Sequence, residues 1–198
     1  LCRFDGQRVT MASQMSEADE TVSSLYSVKS EQATMLSFDT YNYLVHYFGQ
    51  PQGSMSDDPN GTLGGDYEFI ISSASAERIE LKGKKYGNRI VMKALTEDQT
   101  WKQYLTKIKK VEDDAFFYEY DLLMDGLYTG QMIRSNYTFI LTYYDEIGKV
   151  HQKTVPFMFT ADGLRFHEPV TIDGQTMQNF VWKNELISFV CTDEGATG

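Results

Sequence analysis

The sequence predicts a mainly β protein: an antiparallel meander forming a curved sheet or a partly open lipocalin-like barrel, with one amphipathic helix packed on it. Three observations predict it. Between Gly65 and Leu95, three short runs rich in β-branched and aromatic residues are separated by glycine and small polar residues. Side chains alternate across a strand, so Tyr67, Phe69 and Ile71 share one face, as do Ile79 and Leu81, and as do Ile90, Met92 and Ala94. Asp-Gly pairs recur at residues 5–6, 125–126, 162–163 and 173–174, where tight reversals favour them. A single stretch has helical spacing. A two-sheet β-sandwich is the alternative, because the same alternating strands serve both.

In chain order, Phe4 to Val9 reads as a hairpin around Asp5-Gly6, and residues 12–24, small and acidic, as a loop. Tyr26 to Val28, Met35 to Phe38 and Tyr41 to Phe48 read as strands. In the last of these the alternation of Tyr43, Val45 and Tyr47 with Leu44, His46 and Phe48 suggests burial on both faces. Residues 49–66, with Pro51, Pro59 and several glycines, form the longest loop. In the central meander, Lys82-Gly83 and Tyr86-Gly87-Asn88 supply residues that tolerate positive φ at reversals.

Thr96 to Gln99 fits a capping box, and Trp101, Tyr104, Leu105, Ile108 and Val111 follow at helical spacing. The late lysines Lys107, Lys109 and Lys110 complement the negative helix end. Strands resume at Phe117 to Leu123, Tyr137 to Tyr144, Val155 to Phe159, Leu164 to His167 and Leu186 to Val190. This divides the chain into a first β unit (1–95), a connecting helix (96–112) and a second β unit (113–198). Thr34–His46 echoes Thr154–His167, and Glu77–Leu81 echoes Glu185–Phe189. Either an internal duplication or the common alternation of strands and polar-glycine turns accounts for that.

At 198 residues and 41% hydrophobic content the chain can bury a sizeable core. A net charge of −10 opposes nucleic acid, which demands a concentrated positive surface, and opposes docking to anionic lipid. No window approaches the roughly 18 apolar residues of a spanning helix, and residues 1–15 lack a signal-peptide pattern. Leu1-Cys2-Arg3-Phe4 reads as the inside of a strand, so an upstream segment carrying an export signal is expected. Cys2 and Cys191 either pair or stay as thiols.

Catalytic machinery is not apparent. His46, His151 and His167 are widely spaced strand histidines, and no local pattern joins them into a metal site. There is no Gly-x-Ser-x-Gly elbow, and Gly61 to Gly65 lacks the Lys-Ser/Thr of a phosphate loop. Asp57 to Gly61 is acidic but lacks the calcium-loop spacing. With 28 acidic residues, paired carboxylates for a hydrolase arise by coincidence. No catalytic residue, metal or cofactor is assigned. The aromatic excess, 13 tyrosines and 12 phenylalanines, is more informative. Tyrosine and tryptophan offer apolar area with a polar edge, which suits sugars and peptides. Tyr41, Tyr43, Tyr47, Tyr143, Tyr144 and Trp182 are the candidate ligand-binding residues.

Several runs carry a family resemblance: Tyr26-Ser-Val-Lys-Ser, Leu36-Ser-Phe-Asp-Thr-Tyr-Asn, Gly65-Asp-Tyr-Glu-Phe-Ile-Ile, Leu81-Lys-Gly-Lys-Lys-Tyr-Gly-Asn, and Asp162-Gly-Leu-Arg-Phe-His-Glu-Pro-Val. With these, the chain resembles domain of unknown function 4302, a set of lipoproteins of gut Bacteroidetes. The resemblance implies export, a lipid anchor at the cell surface or outer membrane outside residues 1–198, and a genetic setting of outer-membrane uptake systems. It brings no catalytic residues. The resulting expectation is a non-catalytic surface protein that binds or presents glycan or peptide to an uptake complex. A carrier of an apolar small molecule is the alternative, and a hydrolase with paired carboxylates a second. A roomy apolar interior would favour the carrier, a filled core with exposed aromatics the surface binder.

Overall fold

The computed structural model describes residues 1–30, 32–51, 63–95, 100–145 and 147–195. The chain divides into two compact units, Leu1–Gln103 and Tyr104–Gly198. Each contains one seven-stranded antiparallel sheet in which every strand pairs with its neighbours in sequence. Both sheets curl as half-barrels, so the fold is mainly β with curved meanders, as the alternation predicts.

In the first unit the order is β1 (Cys2–Asp5), β2 (Arg8–Met11), β3 (Val22–Ser30), β4 (Thr34–Phe38), α1 (Tyr43–His46), β5 (Glu68–Ala74), β6 (Arg78–Gly83) and β7 (Arg89–Lys93). Its core is Val9, Leu36, Phe38, Phe69 and Leu81. Cys2 and Phe4 of β1 and Ile90 and Met92 of β7 pack against that same cluster, so residues from both edges of the sheet reach one core.

The second unit is built from β8 (Glu119–Met124), β9 (Leu127–Ser135), β10 (Thr138–Tyr144), β11 (Val150–Phe159), β12 (Gly163–Ile172), β13 (Gln175–Lys183) and β14 (Ser188–Cys191). Phe139 and Leu141 of β10, Phe157 and Phe159 of β11, and Phe166 of β12 are each 1% exposed. Phe139 stacks on Phe157 at 4.2 Å between ring centroids. The ring of Tyr120 on edge strand β8 lies 5.9 Å from Phe189 on the opposite edge, β14. That contact brings side chains of the two edge strands together. Asp125-Gly126 and Asp173-Gly174 have positive φ at both residues, which the tight hairpin turn requires.

The helix α2 (Trp101–Asp114) buries Leu105, Ile108 and Val111, the predicted stripe. Its capping box is Thr100 and Gln103: the Gln103 N–H donates to Thr100 Oγ1 at 3.2 Å, and the Thr100 N–H to Gln103 Oε1 at 2.9 Å. The box expected at Thr96 to Gln99 lies outside the described residues. The helix continues past its lysines to Asp114, so no basic residue stands in its last turn and the dipole argument does not apply. Lys110 instead pairs with Asp114 one turn on, at 2.6 Å.

Other local expectations are corrected. Tyr41 to Phe48 is not a strand but contains α1, because Asn42, fully buried, caps it: its Oδ1 accepts from Leu44 N at 3.1 Å and its Nδ2 donates to Ser24 Oγ at 3.2 Å. There are thus two helices among the described residues. Gly83 and Gly163 are strand residues rather than turn hinges. A Cβ on Gly163 would lie 1.9 Å from the Phe180 carbonyl oxygen, so glycine is required there by close approach. Both β9 and β13 are strands that the polar content of their sequences conceals. Cys2 and Cys191 are free thiols. Of the two echoes, Thr34 and Thr154 open or lie in the fourth strand of their sheets, whereas Glu77 precedes the sixth strand and Glu185 the seventh. The echoes therefore do not keep one register.

Candidate functional site

The most exposed organised aromatic surface of the first unit lies around α1. The cap that starts the helix also holds His46, whose Nδ1 is 3.1 Å from the Asn42 N–H. The imidazole then has two tyrosine rings as neighbours. Tyr41 is 5.5 Å away with its ring tilted by 39°, and Tyr67 is 5.0 Å away and stacked at 19°. Tyr41 is 62% and Tyr67 45% exposed. Because the inner faces contact His46, the surface offers ring edges, two hydroxyls and the outer tyrosine faces. Phe48, also exposed, lies edge-on to Tyr47 at 5.5 Å.

Two polar devices fix this surface. The Phe48 carbonyl accepts from Leu63 N at 3.1 Å and Gly65 N at 2.9 Å, joining the end of α1 to the segment that carries Tyr67. A Cβ on Gly65 would lie 2.3 Å from Phe48 Cβ, so only glycine permits that closure. Next along the chain, the Asp66 carboxylate accepts from Lys85 N at 2.7 Å, Tyr86 N at 3.1 Å and Asn88 Nδ2 at 2.9 Å. Asn88 Nδ2 also donates to the Gly64 carbonyl at 2.5 Å. Gly83 makes room for the carboxylate, since a Cβ there would fall 1.9 Å from Asp66 Oδ2. Two of the runs that carry the family resemblance, Gly65 to Ile71 and Leu81 to Asn88, are thus one interlocked unit. It holds the base of Tyr67.

The remaining candidates are placed differently. Tyr43 is half-buried and donates to Glu20 Oε1 at 2.8 Å, and that carboxylate raises the phenol's pKa. In the second unit, Tyr143 stacks on His151 at 5.2 Å, and His151 Nε2 lies 2.9 Å from Asp145 Oδ2. His151, followed by the Lys149 N–H, holds the Asp145 carboxyl below its ordinary range. Tyr144, 48% exposed, is on the opposite face of β10 from Tyr143, as alternation demands. Trp182 is half-buried, packed by Phe189 at 4.8 Å and Phe117 at 6.4 Å, with Nε1 donating to Asn184 Oδ1 at 2.6 Å. It is a packing residue of the sheet edge.

Within the first unit, then, Tyr41 joins His46 and Tyr67. Sequence reasoning passed over the latter two. One was read as a strand histidine and the other as a sheet-face residue, and the five-residue spacing of Tyr41 and His46 has meaning only once Asn42 starts a helix. No group of three or more His, Cys, Asp or Glu among the described residues is placed to hold a metal ion. Asp57 to Gly61 lies outside them, as do the first two residues of Gly61 to Gly65. No helix among the described residues is long and apolar enough to cross a membrane.

A model of one protein family, described as a domain of unknown function (DUF4302), matches residues 1–184. Among curated proteins and among solved structures, nothing matches the chain.

Proposed function

The chain belongs to the DUF4302 family, and from that premise we propose that it is a non-catalytic, exported, lipid-anchored surface protein that binds glycan through the aromatic surface around α1. The observation that carries this reading is the Tyr41–His46–Tyr67 cluster, with both tyrosines exposed, Tyr67 stacked on His46 and Tyr41 tilted against it, and the imidazole fixed by the Asn42 cap. A rigid aromatic face needs little ordering on binding, and a pyranose offers it axial C–H groups while its hydroxyls meet the phenols. Outer-membrane uptake machinery is the partner the family setting supplies. The interior supports a binder over a carrier: the second unit is filled by Phe139, Phe157, Phe159 and Phe166, all fully buried.

A glycan array on the purified protein tests the reading. Tyr41→Ala is expected to weaken the captured glycan about five- to tenfold, the equivalent of roughly 1 kcal/mol for one aromatic face, while Trp182→Ala leaves it unchanged. Silence across the array, or loss with Trp182→Ala alone, rejects the site.

A further inference from the structure

We propose that the edge of β3 from Tyr26 to Ser30 is a strand-addition site for an extended, basic peptide. Strands β2 and β3 are of unequal length. β2 pairs with only the first four residues of β3, from Arg8 opposite Leu25 to Met11 opposite Val22. β3 itself runs on to Ser30, pairing from Tyr26 onward with β4 on its other side. The last bond to the β2 side is Tyr26 N to the Gln7 carbonyl at 3.0 Å, where the chain turns back through Gly6 into β1.

Hydrogen-bond phase then shows which groups are left over. Leu25 uses its carbonyl towards β4, accepting from Asp39 N at 2.9 Å, and Phe38 N donates away from β3, to Tyr67. Backbone groups of successive strand residues point to opposite sides. Tyr26, Val28 and Ser30 therefore aim their N–H and C=O groups at the β2 side, and beyond Gln7 no strand among the described residues stands there. Exposure agrees: Val28 is 57% exposed, and Lys29 and Ser30 are exposed too. Natural sheets cover such an edge or shorten it. Here it borders a groove of about 480 Å³ lined by Gly6, Gln7, Leu25, Tyr26, Ser27, Val28 and Asp39.

The occupant follows from what is unpaired. Alternating donors and acceptors along Val28 to Ser30 match the main chain of a strand, not a sugar or a helix. Five residues of edge accommodate about 16 Å of peptide at roughly 3.3 Å per residue. Val28 offers an apolar cross-strand contact. The Asp39 carboxyl in the lining is held ionised by the Ser37 hydroxyl, 2.7 Å away, with Lys29 at 3.4 Å. Together with a net charge of −10, it favours a basic side chain and disfavours a second copy of the chain. This site does not depend on the glycan reading.

The test is amide hydrogen exchange by NMR with acetyl-Lys-Val-Lys-Val-Lys-Val-amide. At about 1 mM peptide the Val28 and Ser30 amides are expected to slow about tenfold. A Glu-for-Lys peptide, and one N-methylated on alternate amides, should leave them fast. Val28→Pro, which removes a donor the sheet does not use, should abolish the slowing at the Ser30 amide while β3–β4 amides stay protected. Should that variant unfold, the N-methylated peptide still discriminates. Unchanged exchange with the basic peptide overturns the proposal, as does protection that grows with protein concentration alone, which would make a second copy the occupant. Tyr41→Ala should not alter the peptide response, and Val28→Pro should not alter glycan capture, so the two sites fail separately.

Discussion

The two seven-stranded meanders differ in how their cores are built. The second unit turns Phe139, Phe157, Phe159 and Phe166 inward, and its edges meet through Tyr120 and Phe189. The first has a smaller core, of which only Phe38 and Phe69 are aromatic members at full burial, and keeps Tyr41, Tyr67 and Phe48 at the surface. What it lacks in apolar packing it replaces with polar locks at Asn42 and Asp66. One topology thus carries two kinds of core: a ring-filled one in the second unit, and a smaller one supported by polar locks in the first.

The largest effect that would sharpen this contrast comes from the second core. Phe157→Ala removes a ring stacked at 4.2 Å on Phe139 and 5.4 Å from Phe159, and is expected to cost about 4 kcal/mol by lost burial and cavity formation. The two tryptophans report separately, Trp182 from the second unit and Trp101, under the Arg3 guanidinium at 5.2 Å, from the first. In urea denaturation of single-tryptophan variants, Phe157→Ala should lower the Trp182 midpoint far more than the Trp101 midpoint. Equal shifts would mean that the units unfold as one cooperative body and would break the comparison.

A smaller effect is expected from the polar side. Asp66→Ala removes the acceptor of the Lys85 and Tyr86 N–H groups and of the Asn88 amide, at a residue that is 8% exposed. The cost is about 1–2 kcal/mol for part-buried donors that lose a charged acceptor, read at Trp101. Loss of the lock would also free Tyr67, so glycan capture should weaken beyond what stability explains. A Trp101 midpoint that does not move would show that the loop holds without its carboxylate.

These residues mark what the sequence could show. The tight hairpins at Asp125-Gly126 and Asp173-Gly174 are local, and two adjacent residues state them; the first hairpin turns one residue later than its Asp-Gly pair, at Gly6-Gln7, because Asp5 pairs with Arg8. The inward faces of β5 and β10 follow from alternation, and the stripe of α2 from helical spacing. The helix α1 was hidden because Tyr43 to Phe48 alternates as well as any strand, and the deciding group is the side chain of Asn42, anchored to Ser24. Strand β9 contains Gly130, which reads as a breaker. Its missing Cβ is explained only by the Thr142 carbonyl oxygen, 2.3 Å from where that atom would stand. The Asp66 lock spans up to 22 residues, and no local pattern encodes its reach. The aromatic site was half legible: Tyr41 stood out by composition, whereas His46 and Tyr67 join it only through the fold.

The smallest effect distinguishes the units by pH. Burial in the second unit lowers the pKa of His167 from the usual 6.5, and the neighbouring Glu168 carboxylate only partly offsets this. The sign follows from proton uptake. A histidine whose folded pKa is depressed takes its proton first in the unfolded chain, so the stability it confers is complete above the unfolded value of 6.5. It declines as pH falls through that value and levels off below the folded one. Urea midpoints at Trp182, measured between about pH 7.5 and 5.5, should therefore fall slightly, and His167→Gln should flatten the slope without changing the Trp101 response. The ring is partly solvated, which keeps the effect small. A slope that survives the substitution would transfer it to another group, and a midpoint that rises on acidification would contradict the sign.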